Sequence, residues 1–183
     1  MRSPFFLLLF LLVAPFANAA TEGVFDQPII TPPPRPIPRL RPILTTGAII
    51  EIYEEGAFQG IVLIKRGKSP FGIALPGGKV EWGETVEQAV QREMLEKTHL
   101  ELSELRQFHV YSHPQRDARH HSIEVTFLAK SFSMPAPGDD AKEAFIVSLD
   151  EIPWKELVFD HAEILQDYLA YRYGKLKGGI LLP

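Results

Sequence analysis

The chain contains no cysteine among its 183 residues. Disulfides, zinc–thiolate centres and cysteine nucleophiles are all excluded by that absence. It says little about compartment, since a domain of this size can bury enough core without cross-links. A basic surplus is also lacking. Lysine and arginine total 19 against 23 aspartate and glutamate, a net charge of -4. A mildly acidic chain lacks the electrostatic footprint that non-specific nucleic-acid binding needs, so no nucleic-acid partner is expected. There is no internal repeat. The length suits one domain with short appendages, and 45% hydrophobic with 23% charged residues is the balance of an ordinary globular protein.

The chain opens MRSPFFLLLFLLVAPFANAA. Arg2 supplies a positive start, Phe5 to Val13 an unbroken apolar run, and Ala17-Asn18-Ala19 an A-x-A cleavage signal. That order describes a secretory signal peptide over residues 1–19, with Ala20 as the new N-terminus. The apolar run is well short of the ~20 residues that span a bilayer, so cleavage is favoured over a stable membrane anchor. The expected location is periplasmic or secreted. Residues 20–44 form a proline-rich linker. Within it, TPPPRPIPRLRPI reads as an extended, polyproline-II-like stretch. Its PxxP spacing admits a docking role, and a stiff spacer is the plainer reading.

The domain is expected over residues 45–173, followed by a loose tail at 174–183. Strands are expected at Ala48–Tyr53, Gly60–Lys65, Arg106–Tyr111, Ser122–Ala129 and Glu143–Leu149, with a short extended piece at Ile73–Leu75. The run at 60–65 is so continuously apolar that burial on both faces is expected. A helix is expected from Thr85 to Thr98, where Thr85 and Gln88 have capping-box spacing, and another from Asp160 to Tyr173, started by an aspartate cap. Strands interrupted by two helices, without a regular βαβ repeat, indicate an α+β fold: a mixed β-sheet packed between helices.

On a helical wheel Val86, Ala89 and Val90 share a face, with Met94 at its edge. Glu93, Glu96 and Lys97 continue that stripe, so the inward face turns from apolar to charged. Solvated i,i+4 pairing accounts for Glu87 and Gln91 but poorly for Glu93 and Glu96. Carboxylates on a core-side face call for a partner, and a hard divalent cation with oxygen ligands is a natural one. Upstream, Gly77-Gly78 permits close backbone approach to a ligand.

The stretch GKVEWGETVEQAVQREMLEKTHL resembles the Nudix box, G-x5-E-x7-R-E-U-x-E-E-x-G-U with U aliphatic. Gly78, Glu84, Arg92, Glu93, Met94, Glu96 and Leu100 match in register. GIVLIKRGKSPFGIALPGGKVEWGET, YSHPQRDARHHSIEVTFLAK, GDDAKEAFIVSLDEIP and FDHAEIL resemble segments of the ADP-ribose pyrophosphatase-like subgroup. The likeness spans residues 43–173 and implies the Nudix-type α/β/α sandwich. It also implies metal-dependent hydrolysis of a nucleoside-diphosphate-linked substrate at its pyrophosphate. Mg²⁺ or Mn²⁺ is the implied cofactor, and a small nucleotide-type molecule the implied partner; a homodimer is an admitted assembly.

By the same resemblance Glu93 and Glu96 are metal ligands, with Gly77 lending its carbonyl. Arg92 holds the carboxylates in place through a forked pair to Glu84. Glu143 is the implied downstream carboxylate, with Asp139 and Asp140 as competitors; a plain Asp-rich turn is the alternative for those two. Two positions depart from the box: Lys97 stands where the second Glu of the E-E pair belongs, and His99 where the Gly belongs. Lys97 therefore abolishes catalysis and leaves a module binding nucleotides or a protein partner, grips the substrate phosphate as a fixed cation, or points away. Arg116 and Arg119 are candidate substrate contacts, with an ordinary charged loop as the alternative. His109, His113, His120 and His121 invite a zinc reading but lack ligand spacing.

Overall fold

The computed structural model describes residues 41–175, all within one compact unit, Arg39–Pro183. The expected signal peptide, most of the expected proline-rich linker and the end of the expected tail lie outside the described residues. Seven strands and two helices follow in the order β1 (Ile43–Glu54), β2 (Ala57–Arg66), β3 (Ile73–Ala74), β4 (Gly77–Lys79), α1 (Val86–Thr98), β5 (Ser103–Tyr111), β6 (Ser122–Ser131), β7 (Ala141–Val147) and α2 (His161–Arg172). The strand β1 starts at Ile43, inside the stretch assigned to the linker, because it pairs with Ser122 at the head of β6.

The sheet runs β3-β2-β1-β6-β5, with β4 on β1 and β7 on β2. β1 and β6 are parallel over ten residue pairs, Ile43↔Ser122 to Ile52↔Ser131; the other pairings are antiparallel. One edge of β1 is shared. Glu51–Glu54 pair with β2, while Thr45–Gly47 pair with β4. The sheet splits between these contacts, and the β4–α1 segment enters at the split.

Side-chain alternation along β1 and β2 distributes the core to two faces. Ile49, Ile61 and Leu63 pack with Ile164, Leu165 and Tyr168 of α2. Ala48, Ile50, Ile52 and Val62 pack with Val90 and Met94 of α1. The sheet is thus covered on both faces, which is why Gly60–Ile64 is buried throughout. Val90 and Met94 are fully buried, and burial at this level contributes about 1.5–3 kcal/mol per side chain.

The expected capping box is present: Thr85 Oγ1 accepts from the Gln88 backbone N–H, and Gln88 Oε1 from that of Thr85. At the other end His99 takes the left-handed conformation (φ 54°) that a glycine would adopt with less strain. The start of α2 differs from expectation. Asp160 occupies the cap position but makes no side-chain cap bond, because Arg116 claims its carboxylate.

Candidate active site

A cavity of about 530 Å³ opens where the sheet splits, and Glu93, Lys97, Gly77 and Gly78 line it beside Asp139 and Asp140. The glycines have a steric cause. A Cβ on Gly78 would lie 1.9 Å from Glu93 Cδ, and one on Gly77 would lie 2.6 Å from the Thr46 carbonyl oxygen. The close approach that glycine permits here is to Glu93 and to β1. Leu75, just before this turn, is fastened by its N–H to His161 Nδ1 at 2.8 Å. His161 is buried at the head of α2. Burial pushes its pKa down to about 3, with Asp160 opposing and Arg116 and Arg66 assisting, so the ring is a neutral acceptor.

Arg92 organises the outer part of the helix. Its Nε and Nη2 fork the Glu84 carboxylate at 2.7 and 2.9 Å, while Nη1 donates to Glu93 at 3.0 Å and Glu96 at 3.3 Å. Nη2 also donates to the Lys79 carbonyl at 3.1 Å, tying α1 to β4. Hydrogen bonding from Arg92, then from the Glu81 N–H, lowers the Glu84 pKa to about 2. Paired charged donors and acceptors of this kind fix geometry as well as charge.

Lys97 does not point away. Its side chain is 8% exposed, and Nζ lies 2.6 Å from Asp140 Oδ1, 2.7 Å from Asp139 Oδ2 and 3.6 Å from Glu93 Oε2. Burial works to lower the Lys97 pKa, but the hydrogen bonds to Asp139 and Asp140, with the charges of Asp140 and Glu93, outweigh it and hold the ammonium above its ordinary range. The turn carrying both aspartates is seated on α1. Ala136 N–H donates to the Thr98 carbonyl and Gly138 N–H to that of Lys97.

Several expected positions move. Glu96 is not on the buried stripe: its side chain is 48% exposed, whereas that of Glu93 is 9% exposed. Position 96 lies about 60° around the helix from 93, and this turns it to the rim. Glu143 does not reach the cavity. Register pairs it with Lys65 on β2, and the two side chains form an exposed ion pair at 2.9 Å; Asp139 and Asp140 line the cavity instead. Arg116 lines the cavity but is committed to its wall, reaching Asp160 at 2.7 Å and Glu124 at 2.9 Å, with Ser122 also accepting. Arg119 is held by Asp117 and by the Ser69 carbonyl. The residues that sequence reasoning missed are His161, Glu124, Asp160 in its role as an Arg116 partner, and Phe159. Phe159 has a left-handed backbone (φ 60°), and its ring meets Arg66 and Arg119 at 5.0 and 5.4 Å. The FDHAEIL segment held three of these four, but nothing local in it signalled their partners.

The oxygen donors gathered here have the right chemistry for a hard divalent cation. Glu93 is met on both oxygens by Arg92 and Lys97, whereas Glu96 is half open to solvent. Among the described residues no group of three or more His, Asp or Glu side chains is arranged as a metal cage, and that includes the four histidines. The set fits an ion held by one or two carboxylates together with substrate phosphates, the usual mode for Mg²⁺. Among the described residues no helix is long and apolar enough to cross a membrane.

Known proteins resemble this chain over the same domain. The NUDIX domain model matches residues 44–168. The ADP-ribose pyrophosphatase of Methanocaldococcus jannaschii is 42% identical over 138 residues, covering 74% of this chain and 78% of the relative. The ADPR responsive transcriptional repressor NtrR of Acinetobacter baylyi is 30% identical over 137 residues, and the match spans 70% of this chain but only 54% of that protein. The NUDIX domain of Shewanella oneidensis NrtR, solved with ADP ribose, superposes with a TM-score of 0.65 at 25% identity, covering 72% of this chain and 89% of that one. The fold is therefore the Nudix α/β/α sandwich, and the chain belongs to the NUDIX domain family as a pyrophosphohydrolase of Nudix type.

Proposed function

We propose that this chain hydrolyses the pyrophosphate link of ADP-ribose or a closely similar nucleoside diphosphate derivative. The observation that carries the reading is a single cavity of nucleotide size holding both the Glu93 end of the box helix and a set of cations, Arg66, Lys68 and Lys79 among them. The 42% identical Methanocaldococcus jannaschii relative, itself an ADP-ribose pyrophosphatase, supports the substrate class.

In the proposed reaction a water oxygen bonds to one phosphorus and the bridging P–O bond breaks. The bridging oxygen leaves with the other phosphoryl group, so two phosphate monoesters form. The proton released by water passes to a carboxylate of the site. Arg92 keeps the Glu93 and Glu96 carboxylates oriented while Glu84 anchors Arg92 itself. Mg²⁺ or Mn²⁺ is part of the proposal: Glu93 and Glu96, with the Gly77 carbonyl, would hold it, and when bound it supplies charge neutralisation at the phosphates. Export belongs to the proposal too. Removal of residues 1–19 would deliver a chain beginning at Ala20, with net charge -5 after loss of Arg2, to the periplasm or the medium.

The test is a panel of nucleoside diphosphate derivatives with Mg²⁺, Mn²⁺ or chelator, scored for phosphate monoesters. ADP-ribose should give AMP and ribose phosphate. Saturable binding of ADP-ribose without products under any ion would sink the hydrolytic reading and favour a nucleotide-binding module.

A further inference from the structure

Three carboxylates, Glu93, Asp139 and Asp140, converge on one point beside the cavity, and the Lys97 ammonium fills that point. They come from two separate pieces of chain, helix α1 and the turn after β6. Without a cation between them, their charges would repel and the turn would have no electrostatic reason to stay seated. Removing the ammonium leaves the buried Glu93 and the largely buried Asp140 uncompensated, whereas Asp139 keeps part of its hydration. The seat itself is tight: a Cβ on Gly138 would lie 2.3 Å from the Glu96 carbonyl oxygen, so the turn backbone rests directly on the last turn of the helix. Lys68 approaches Asp140 only at 4.0 Å and from an exposed position, so it does not replace the buried ammonium.

We propose that Lys97 is the resident cation of this site, a covalently tethered ammonium that neutralises Glu93, Asp139 and Asp140 and fastens the Asp139–Asp140 turn to α1 without any bound metal. The oxygens stand 2.6 to 3.6 Å from the ammonium nitrogen, wider than a metal cage, but with the ammonium gone they could close on a divalent ion that performs the same two tasks, so the ammonium and an ion exclude each other there. A consequence is that removing the ammonium opens a place for one additional cation. Lys97 acts here as a positioning residue. The inference concerns charge and seating only, so it stands or falls independently of which diphosphate the enzyme cleaves.

Amide hydrogen exchange on the full chain reads the seat directly, through the Ala136 and Gly138 N–H groups that bond to α1. In the wild type, exchange at both should be the same with EDTA as with Mn²⁺. In Lys97→Met with EDTA it should accelerate by about tenfold or more, as local opening becomes easier. Mn²⁺ should reverse that acceleration, and electron paramagnetic resonance should count one more bound Mn²⁺ than in the wild type. Adding Asp139→Asn and Asp140→Asn to Lys97→Met should abolish the extra ion. Lys97→Arg, which keeps a cation, should hold the turn in EDTA, and this variant decides the matter if Lys97→Met does not fold. Faster exchange of the wild type in EDTA would overturn the proposal. So would unchanged exchange in Lys97→Met, failure of Mn²⁺ to restore it, or loosening in Lys97→Arg.

Discussion

Replacing His161 by phenylalanine should change how stability depends on pH, and should do so with a crossing of the two curves. In the folded chain the imidazole is neutral and accepts the Leu75 N–H at 2.8 Å. Its pKa is pushed down to about 3, first by burial. In the unfolded chain the ring titrates near its ordinary value of about 6.5. The unfolded state therefore takes up a proton that the folded state refuses, so this contribution is complete above about pH 6.5 and is lost progressively as pH falls toward 3. The loss is about 1.4 kcal/mol per pH unit, or roughly 3 kcal/mol by about pH 4.5. Phenylalanine escapes this term but orphans a buried N–H, at a cost of about 1–3 kcal/mol at every pH. Near neutral pH the wild type should be more stable by that amount. Between about pH 6 and pH 4 the advantage should vanish and then reverse. Urea unfolding of both chains at a series of pH values measures it, and carboxylate titrations common to both cancel in the difference. A constant difference from neutral pH to about pH 4 would refute the claim that His161 is buried neutral.

Glu93→Gln should abolish hydrolysis with little change in the unfolding midpoint, since the amide retains hydrogen bonding to Arg92; product formation at the wild-type rate would place the chemistry elsewhere. Arg116→Met should destabilise by about 3–5 kcal/mol, because Glu124 and Asp160 are left buried without their partner; denaturant titration checks it. Glu143→Gln should leave turnover unchanged, since that side chain meets only Lys65 at the surface; a large fall in kcat would return it to the site.

What was legible in the sequence was local. The helix α1 declared itself through its 3.6-residue period and the Thr85–Gln88 capping box, both contained within a few turns. Continuous β-branched and aliphatic runs marked β1 and β2. The parallel pairing of β1 with β6 was not readable, because it joins residues 79 apart that carry no signal of each other. The same distance hid the partners of Lys97. Its period put it on the buried stripe, but Asp139 and Asp140 lie 42 and 43 residues away. Glu143 was misplaced because its segment is a strand whose alternation turns position 143 outward against Lys65. Asp160 looked like a cap and it holds the cap position, but its side chain makes no cap bond. The fork from Arg116, a charged two-point contact, outcompetes a single helical N–H for its oxygens.

Charge commitment inside the cavity leads to a last prediction, about where substrate phosphate is held. Lys97 is spent on Asp139 and Asp140, Arg116 on Asp160 and Glu124, and Arg119 on Asp117. A phosphate competing for any of these must displace a carboxylate at 2.6–2.9 Å. Arg66 and Lys79 line the same cavity, and among the described residues neither has a carboxylate within ion-pair distance. The Arg66 guanidinium donates only to the carbonyls of Ser69 and Pro70, and burial, the largest influence on it, lowers its pKa from the ordinary value. An uncompensated, partly desolvated guanidinium gains more from an incoming anion than one already neutralised. Phosphate recognition should therefore fall on Arg66 and Lys79, ahead of the Arg116 and Arg119 expected from the sequence. Lys79→Gln and Arg66→Gln should each raise KM about tenfold, equivalent to ~1.4 kcal/mol, with kcat within about twofold, the pattern of lost binding shared by ground and transition states. Lys79 is exposed, so its substitution should not move the unfolding midpoint. Steady-state kinetics on one diphosphate substrate decides it, and unchanged KM in both variants would return the phosphate to Arg116 and Arg119.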